Sequence, residues 1–204
     1  MIEVLKSSAM MAIVRTASAA EARGIGRALV DAGVEVIEFT TSCPEVFSII
    51  EEFAAIDNLH VGLGTALTTV HVTDAKRSGA TFIVSPNTDR EVIRATAELG
   101  MTSIPGVASA TEVALAISAG AQALKLFPAS TYGPGHLRAL SDPFPHQIWV
   151  ATGGVAQESV PEWFRAGAAA FGLGGPLLGG GVSDISRRVG LFKNEISQAR
   201  KVNE

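Results

Sequence analysis

Eight times along this chain a short apolar run is followed by a stretch with helical spacing, at about 25 residues per unit. The runs read as strands at Met11–Arg15, Val34–Thr40, His60–Gly64, Thr81–Ser85, Met101–Ile104, Ala121–Phe127, Gln147–Thr152 and Ala168–Leu173. A strand–helix alternation implies parallel strands, because a parallel pair needs a long crossover, usually a helix. Eight such units with no long insert predict a closed (β/α)8 TIM barrel over residues 1–204 as a single domain. An open doubly wound sheet is the competing arrangement.

Helix starts are marked by Ser or Thr three residues before Glu, the spacing at which side chains cap orphan amides reciprocally. Ser18/Glu21, Ser42/Glu45, Thr88/Glu91 and Ser109/Glu112 all fit, with Pro44 expected in a first turn. Gly100 and Gly120 are read as C-terminal stops. Further helices are expected over Leu67–Ser78, after Pro134 and from about Ser159 to Ala166. In the last helix Ile185, Val189, Phe192 and Ile196 recur at steps of four, three and four, which makes one apolar face.

Hydrophobic residues make up 47% of the chain and charged residues 18%, which predicts a large core. The net charge is −4 and no basic stripe is present, so a nucleic-acid partner is not expected. The N-terminal MIEVLKSSAMMAIVR, with Glu3 and only a short apolar run, makes a poor signal peptide. Ala166–Val182 is uncharged but holds seven glycines and one proline, so it reads as strand plus loops, not a membrane span. Cys43 is the only cysteine, which fits a reducing, cytoplasmic setting.

Chemistry centres on Ala121–Gly133, AQALKLFPASTYG. Lys125 sits inside an apolar run that Pro128 ends. A buried ammonium must be paired or must lose its proton more easily than usual. A neutral lysine amine attacks carbonyls and forms Schiff bases. Barrel enzymes work at the carboxyl ends of strands, where polar residues breaking the pattern are Arg15, Glu38, Thr40, Thr65, Ser85, Lys125 and Thr152. Period-two alternation puts Val34, Val36, Glu38 and Thr40 on one face, and Ala123, Lys125 and Phe127 on another. If those faces fill the barrel, Glu38 and Lys125 converge at its mouth. They then form either a mutually satisfying ion pair or an amine nucleophile with its acid/base.

Thr152-Gly153-Gly154 and Gly172-Leu173-Gly174-Gly175 follow the seventh and eighth strands, where this fold often binds phosphate through backbone amides. The four histidines do not share metal-ligand spacing. Cys43 has no histidine base near it in sequence. Tyr132 lies close enough to the lysine strand to line a pocket or simply to pack.

The segments VIEFT, GLGT, IVSPN, IPGVASATE, ALKLFPAS, ATGGV and FGLGG, from about Met11 to Leu178, resemble the 2-keto-3-deoxy-6-phosphogluconate and 2-keto-3-deoxy-6-phosphogalactonate aldolase family. The resemblance implies a homotrimeric barrel and a metal-free class I aldolase without a cofactor. It implies Lys125 as the Schiff-base lysine and Glu38 as the general acid/base. Thr65, Pro86 and Phe127 match residues around the pyruvate moiety, and Gly153 and Gly154 match phosphate-binding glycines. Two positions depart from the family pattern. Ser42 stands where the phosphogluconate branch usually has a carboxylate-binding arginine, and Gly175 stands where a phosphate-binding serine is common. The IVRT segment with Arg15, Ser42-Cys43-Pro44, Ser85-Pro86-Asn87 and the FPAS-x-YGP segment are more similar to the phosphogalactonate branch, in which Arg15 would be the cation near the substrate acid group. The implied reaction splits a 2-keto-3-deoxy-6-phospho sugar acid into pyruvate and an aldehyde. The rivals are an aldolase for an unphosphorylated acid such as 4-hydroxy-2-oxoglutarate, a phosphate-binding isomerase or epimerase, and a non-catalytic sugar-acid-binding barrel.

Overall fold

The computed structural model describes residues 1–203; the expected domain ran to Glu204, which lies outside the described residues. Nine strands form one parallel sheet: β1 (Met10–Val14), β2 (Val36–Thr40), β3 (His60–Gly64), β4 (Phe82–Val84), β5 (Thr102–Ile104), β6 (Gly106–Val107), β7 (Leu124–Leu126), β8 (Trp149–Thr152) and β9 (Ala168–Leu173). Their order is β5-β4-β3-β2-β1-β9-β8-β7-β6. The two ends of that order are halves of one stave. Pro105, which has no N–H to donate, separates β5 from β6. Backbone bonds continue on both sides of the break: Ser103 O accepts from Gln122 N at 3.2 Å, Pro105 O from Lys125 N at 2.9 Å, and Ser85 O from Gly106 N at 3.0 Å. The eight expected strands are therefore eight staves of a TIM-like barrel, with the fifth split by a proline.

Ten helices accompany the sheet among the described residues: α1 (Ile2–Ser8), α2 (Ala19–Asp31), α3 (Val46–Ala54), α4 (Thr69–Arg77), α5 (Arg90–Glu98), α6 (Ala110–Ala119), α7 (Ala129–Ser141), α8 (Val160–Arg165), α9 (Gly175–Leu178) and α10 (Ile185–Asn203). Side chains divide between two cores. The larger lies between strands and helices and takes in the α10 face of Ile185, Val189, Phe192 and Ile196. The smaller fills the barrel with Met11, Val36, Phe82, Val84, Ile104, Ala123, Val150 and Ala170. Val34, expected inside, precedes β2 and packs in the outer core instead. Gly62 makes room within the barrel, since a Cβ there would collide with the Phe82 ring.

The helix α1 was not foreseen, because a single turn or two carries too few residues for a clear period. Its Leu5 is fully buried and joins the barrel-filling cluster, with Met1, Ile2 and Val4 packed around it. It plugs the amino-terminal end of the barrel, where burying one leucine contributes about 1.5–3 kcal/mol.

The capping expectations met mixed outcomes. Ser109 and Glu112 form the full reciprocal box, and Gly120, with φ 101°, ends α6 as read. Ser18 accepts from Glu21 N, but the Glu21 carboxylate bonds the Thr16 hydroxyl instead of reaching back. Asp89 caps α5, while Thr88 donates to Gly106 O at 2.7 Å. Ser42 caps nothing: its hydroxyl pairs with Thr40 at 2.8 Å, and α3 begins at Val46 after Glu45, which leaves Pro44 in the preceding turn. In each miss a tertiary or neighbouring partner outcompeted the local amide. The helix expected after Pro134 begins earlier, at Ala129, with a kink at Gly133.

Candidate active site

The strand register brings the two reactive groups to the carboxyl end of the barrel. Glu38 lies opposite Ile13 on β1 and Gly62 on β3. Lys125 lies opposite Gly106 on β6 and Val150 on β8. Gly64 is required here, because a Cβ on it would collide with the Glu38 carboxylate. Glu38 is 1% exposed and Lys125 6% exposed.

These groups attract but do not touch. Among the described residues Lys125 forms no ion pair within 4.0 Å. Its ammonium lies 4.5 Å from the centroid of the Phe127 ring, and Glu38 Oε2 is buried without a hydrogen-bond partner. A pair built for mutual satisfaction would be in contact, since only close geometry offsets the desolvation of two charges. Burial instead governs both titrations. It pushes the Lys125 pKa below the ordinary lysine range, helped by Arg15 and opposed by Glu38. It pushes the Glu38 pKa above the ordinary carboxylate range, opposed by Lys125 and then Arg15. The site thus favours a neutral amine and a carboxyl able to hold a proton, which are the forms needed for nucleophilic attack and proton transfer.

The eleven residues expected to act on substrate line one cavity of about 470 Å³: Arg15, Glu38, Thr65, Pro86, Lys125, Phe127, Thr152, Gly153, Gly154, Gly174 and Gly175. Arg15 follows β1 and donates from Nη2 to Thr65 Oγ1 at 3.0 Å. Thr65, at φ 59°, is anchored through its carbonyl by the Thr41 hydroxyl at 3.1 Å. The Pro86 carbonyl sits so close over Gly106 that no Cβ fits there. At the other end, Gly153 and Gly154 have φ of 96° and 73°, which suits glycine alone. A Cβ on Gly153 would lie 3.3 Å from the Phe127 ring. Thr152 is 2% exposed, and its Oγ1 is buried without a partner.

Ile13, Gly172 and Pro176 also line the cavity and were not among the expected substrate contacts. Period-two counting from Met11 finds Ile13, and Gly172 belongs to the second glycine loop; Pro176 carried no signal. Gly172 is small because a Cβ there would collide with the Thr152 hydroxyl. Thr40 and Ser85 are turned to internal bonds, with Val14 O at 3.3 Å and Asn87 O at 2.7 Å. Ser42 pairs with Thr40 and does not line the cavity. Cys43 is buried with its Sγ 3.5 Å from Val14 O. Tyr132 stacks on His136 with ring centroids 4.8 Å apart and does not reach the cavity lining.

A parallel barrel that gathers a buried lysine and a buried glutamate at the carboxyl end of its strands has the architecture of a barrel enzyme. The chain belongs to the KDPG and KHG aldolase family, whose model matches residues 1–185. It is 39% identical over 179 residues to the 2-dehydro-3-deoxy-6-phosphogalactonate aldolase of Escherichia coli (strain K12), which covers 85% of this chain and 86% of that protein. Its fold matches a structure described as native KDPGal with a TM-score of 0.87 at 35% identity, covering 94% of this chain and 96% of the other. A KDPG aldolase from Legionella pneumophila, crystallised with pyruvate captured at low pH as a covalent carbinolamine, matches with a TM-score of 0.78 at 25% identity, covering 96% of each chain.

Replacing Glu38 tests the electrostatic reading. Glu38 raises the Lys125 pKa, so Glu38→Gln should move the amine titration to still lower pH. Borohydride trapping of a pyruvate imine across a pH series checks the direction. The same variant should keep imine formation but lose turnover by ~10²–10⁴-fold, the usual contribution of a positioned acid/base.

Proposed function

We propose that this protein is a class I, Schiff-base aldolase. It cleaves a 2-keto-3-deoxy-6-phospho sugar acid, of the phosphogalactonate type, to pyruvate and glyceraldehyde 3-phosphate. The observation that carries the reading is the pair of buried, opposite, non-touching groups, Lys125 and Glu38, facing one cavity. The neutral Lys125 amine adds to the C2 ketone, and the carbinolamine, protonated on its hydroxyl from solvent, loses water to give a protonated imine. Glu38 takes the proton of the C4 hydroxyl, directly or through a water. The C3–C4 bond then breaks, its electron pair moves into the imine to form an enamine, and the aldehyde leaves. Protonation of the enamine carbon regenerates the imine, and water releases pyruvate and free Lys125. The carbinolamine described for the Legionella relative supports this route.

Arg15 binds the substrate carboxylate in this reading. It is held toward the cavity by Thr65, while Ser42, at the position usual for an arginine in the phosphogluconate branch, is turned away. That contrast, with the phosphogalactonate names of the relatives, favours the phosphogalactonate substrate. The phosphate falls to Thr152 and the glycine loops around Gly153, Gly154, Gly174 and Gly175. The unpartnered Thr152 hydroxyl supports this. Gly175 also keeps a second reading, an aldolase for an unphosphorylated keto acid such as 4-hydroxy-2-oxoglutarate, because no side chain there reaches the anion. The reading further includes a homotrimer in the cytoplasm. Exposed Leu67 and Val70, at 49% and 64%, offer apolar surface that a neighbouring copy would cover, and the lone buried Cys43 fits a reducing compartment. No helix among the described residues is long and apolar enough to cross a membrane. Sedimentation at about three times 21.1 kDa checks the oligomer.

Pyruvate with borohydride should label Lys125 irreversibly, read by peptide mass; a label on another lysine overturns the mechanism. For the phosphate, Gly175 is the informative position, because a Cβ there meets nothing within 4 Å. Gly175→Asp should cut kcat/KM for the phosphorylated substrate by about 10–100-fold, the scale of lost bonds to a charged group. It should act much less on pyruvate imine formation. Wild-type preference for the unphosphorylated acid would promote the second reading.

A further inference from the structure

The glycine end of the cavity has no charged side chain of its own. Of the residues lining the cavity only Arg15 and Lys125 are cationic; Arg15 is bonded to Thr65 and Lys125 sits over Phe127. The segment Ala166–Val182, which supplies Gly174, Gly175 and Pro176, carries no charge at all. What holds that turn comes from α10. Arg188 donates from Nη1 to the Pro176 carbonyl at 3.1 Å and from Nε to Asp184 Oδ2 at 2.6 Å. Asp184 also accepts from Arg187 at 2.7 and 2.9 Å. These bonds, that of Arg187 first, hold the Asp184 carboxyl down to about 2. An ionised carboxylate therefore aims Arg188 at the turn throughout the neutral range.

The chain is shaped around this unit. A Cβ on Gly180 would collide with the Asp184 carboxylate, one on Gly179 would lie 2.9 Å from the Gly175 carbonyl, and Gly181 has φ 79°. The run Gly179-Gly180-Gly181, legible in sequence only as a loop, is what lets the backbone fold over the Asp184–Arg188 pair. A second cavity of about 400 Å³, lined by Arg187 and Arg188, shares Gly154 and Pro176 with the active-site cavity. One thin wall separates the arginines from the glycine loops. Behind it Arg187 and Arg188 are balanced by Asp184, which bonds both, and by Glu158, which lines the same cavity.

We propose that Arg188 is a positioning residue for the phosphate end of the site: it fixes the Gly174–Gly175–Pro176 turn through the Pro176 carbonyl, so that the enzyme selects a phosphorylated substrate over the same acid ending in a hydroxyl. This deepens the phosphate reading and rests on it. Arg188 touches no substrate. Its effect falls on the far end of the molecule and not on the keto-acid end, where Lys125 works.

The test compares steady-state cleavage of the phosphorylated keto-deoxy sugar acid with that of its unphosphorylated counterpart, alongside borohydride-trapped pyruvate imine, for Arg188→Met and Arg188→Lys. In Arg188→Met, KM for the phosphorylated substrate should rise about tenfold, the scale of one lost hydrogen bond involving a charged group. Its kcat should stay within about twofold, and the unphosphorylated reaction and pyruvate trapping should be unchanged. Arg188→Lys keeps a donor for the Pro176 carbonyl and should recover part of the loss. If the wild type prefers the phosphorylated acid and Arg188→Met keeps the same preference, the proposal is overturned while the phosphate reading stands. Equal losses on both substrates and on pyruvate trapping overturn it too, because they mark a merely structural anchor. A wild type with no preference for phosphate overturns the phosphate reading, and this inference with it.

Discussion

The structure depends on keeping one amine dry and unpaired. Lys125 is buried above a barrel filling of Leu, Met, Val, Phe, Ile and Ala, and the carboxylate of Glu38 does not touch it. Both facts are needed. Burial lowers the Lys125 pKa, and a contact ion pair with Glu38 would oppose that shift more strongly than the present separation does. The balance is set by residues that have no side chain to offer. Gly64 leaves room for the Glu38 carboxylate, and Gly106, beside Lys125, leaves room for the Pro86 carbonyl.

From this centre the cavity divides into two ends with different physics. The keto-acid end uses charge: Arg15, Lys125 and Glu38 act on one another through a poorly solvated space. The glycine end uses backbone and the unsatisfied Thr152 hydroxyl, with arginines kept behind a wall. In the proposed reaction an anionic substrate spans both. This separation suits a reaction in which the bond that breaks lies between a fixed pyruvate half and an aldehyde half that must leave. A cationic clamp inside the glycine end would hold the leaving product more tightly than amides do.

Barrel geometry makes the separation possible at this small size. The fifth stave is broken at Pro105, yet both halves keep backbone partners, so the ring of hydrogen bonds passes the break. The amino-terminal end is closed by Leu5 of α1. With one end plugged and the middle filled, the polar groups Glu38 and Lys125 face the open cavity at the carboxyl ends of the strands. The helix caps show the opposite freedom. Thr88 and Ser42, which local spacing assigned to caps, were drawn to Gly106 O and Thr40, because a short hydroxyl takes whichever partner the packed structure brings nearest.

Sequence periodicity by itself determined the staves, the apolar face of α10, and the fact that Glu38 and Lys125 point inward. Each rests on a local rule, strand alternation or helical spacing, that tertiary packing had no reason to override. The glycine loops were legible for the same reason, as departures from local pattern at strand ends. Only the tertiary structure decided that Lys125 and Glu38 would stand apart instead of pairing, since that depends on how far staves two and six lie across the barrel. It alone turned Ser42 away and Arg15 inward, split the fifth stave, and brought Arg188 behind Pro176. Those are contacts between residues distant in sequence, or choices between competing hydrogen-bond partners, and no spacing along a single chain encodes either.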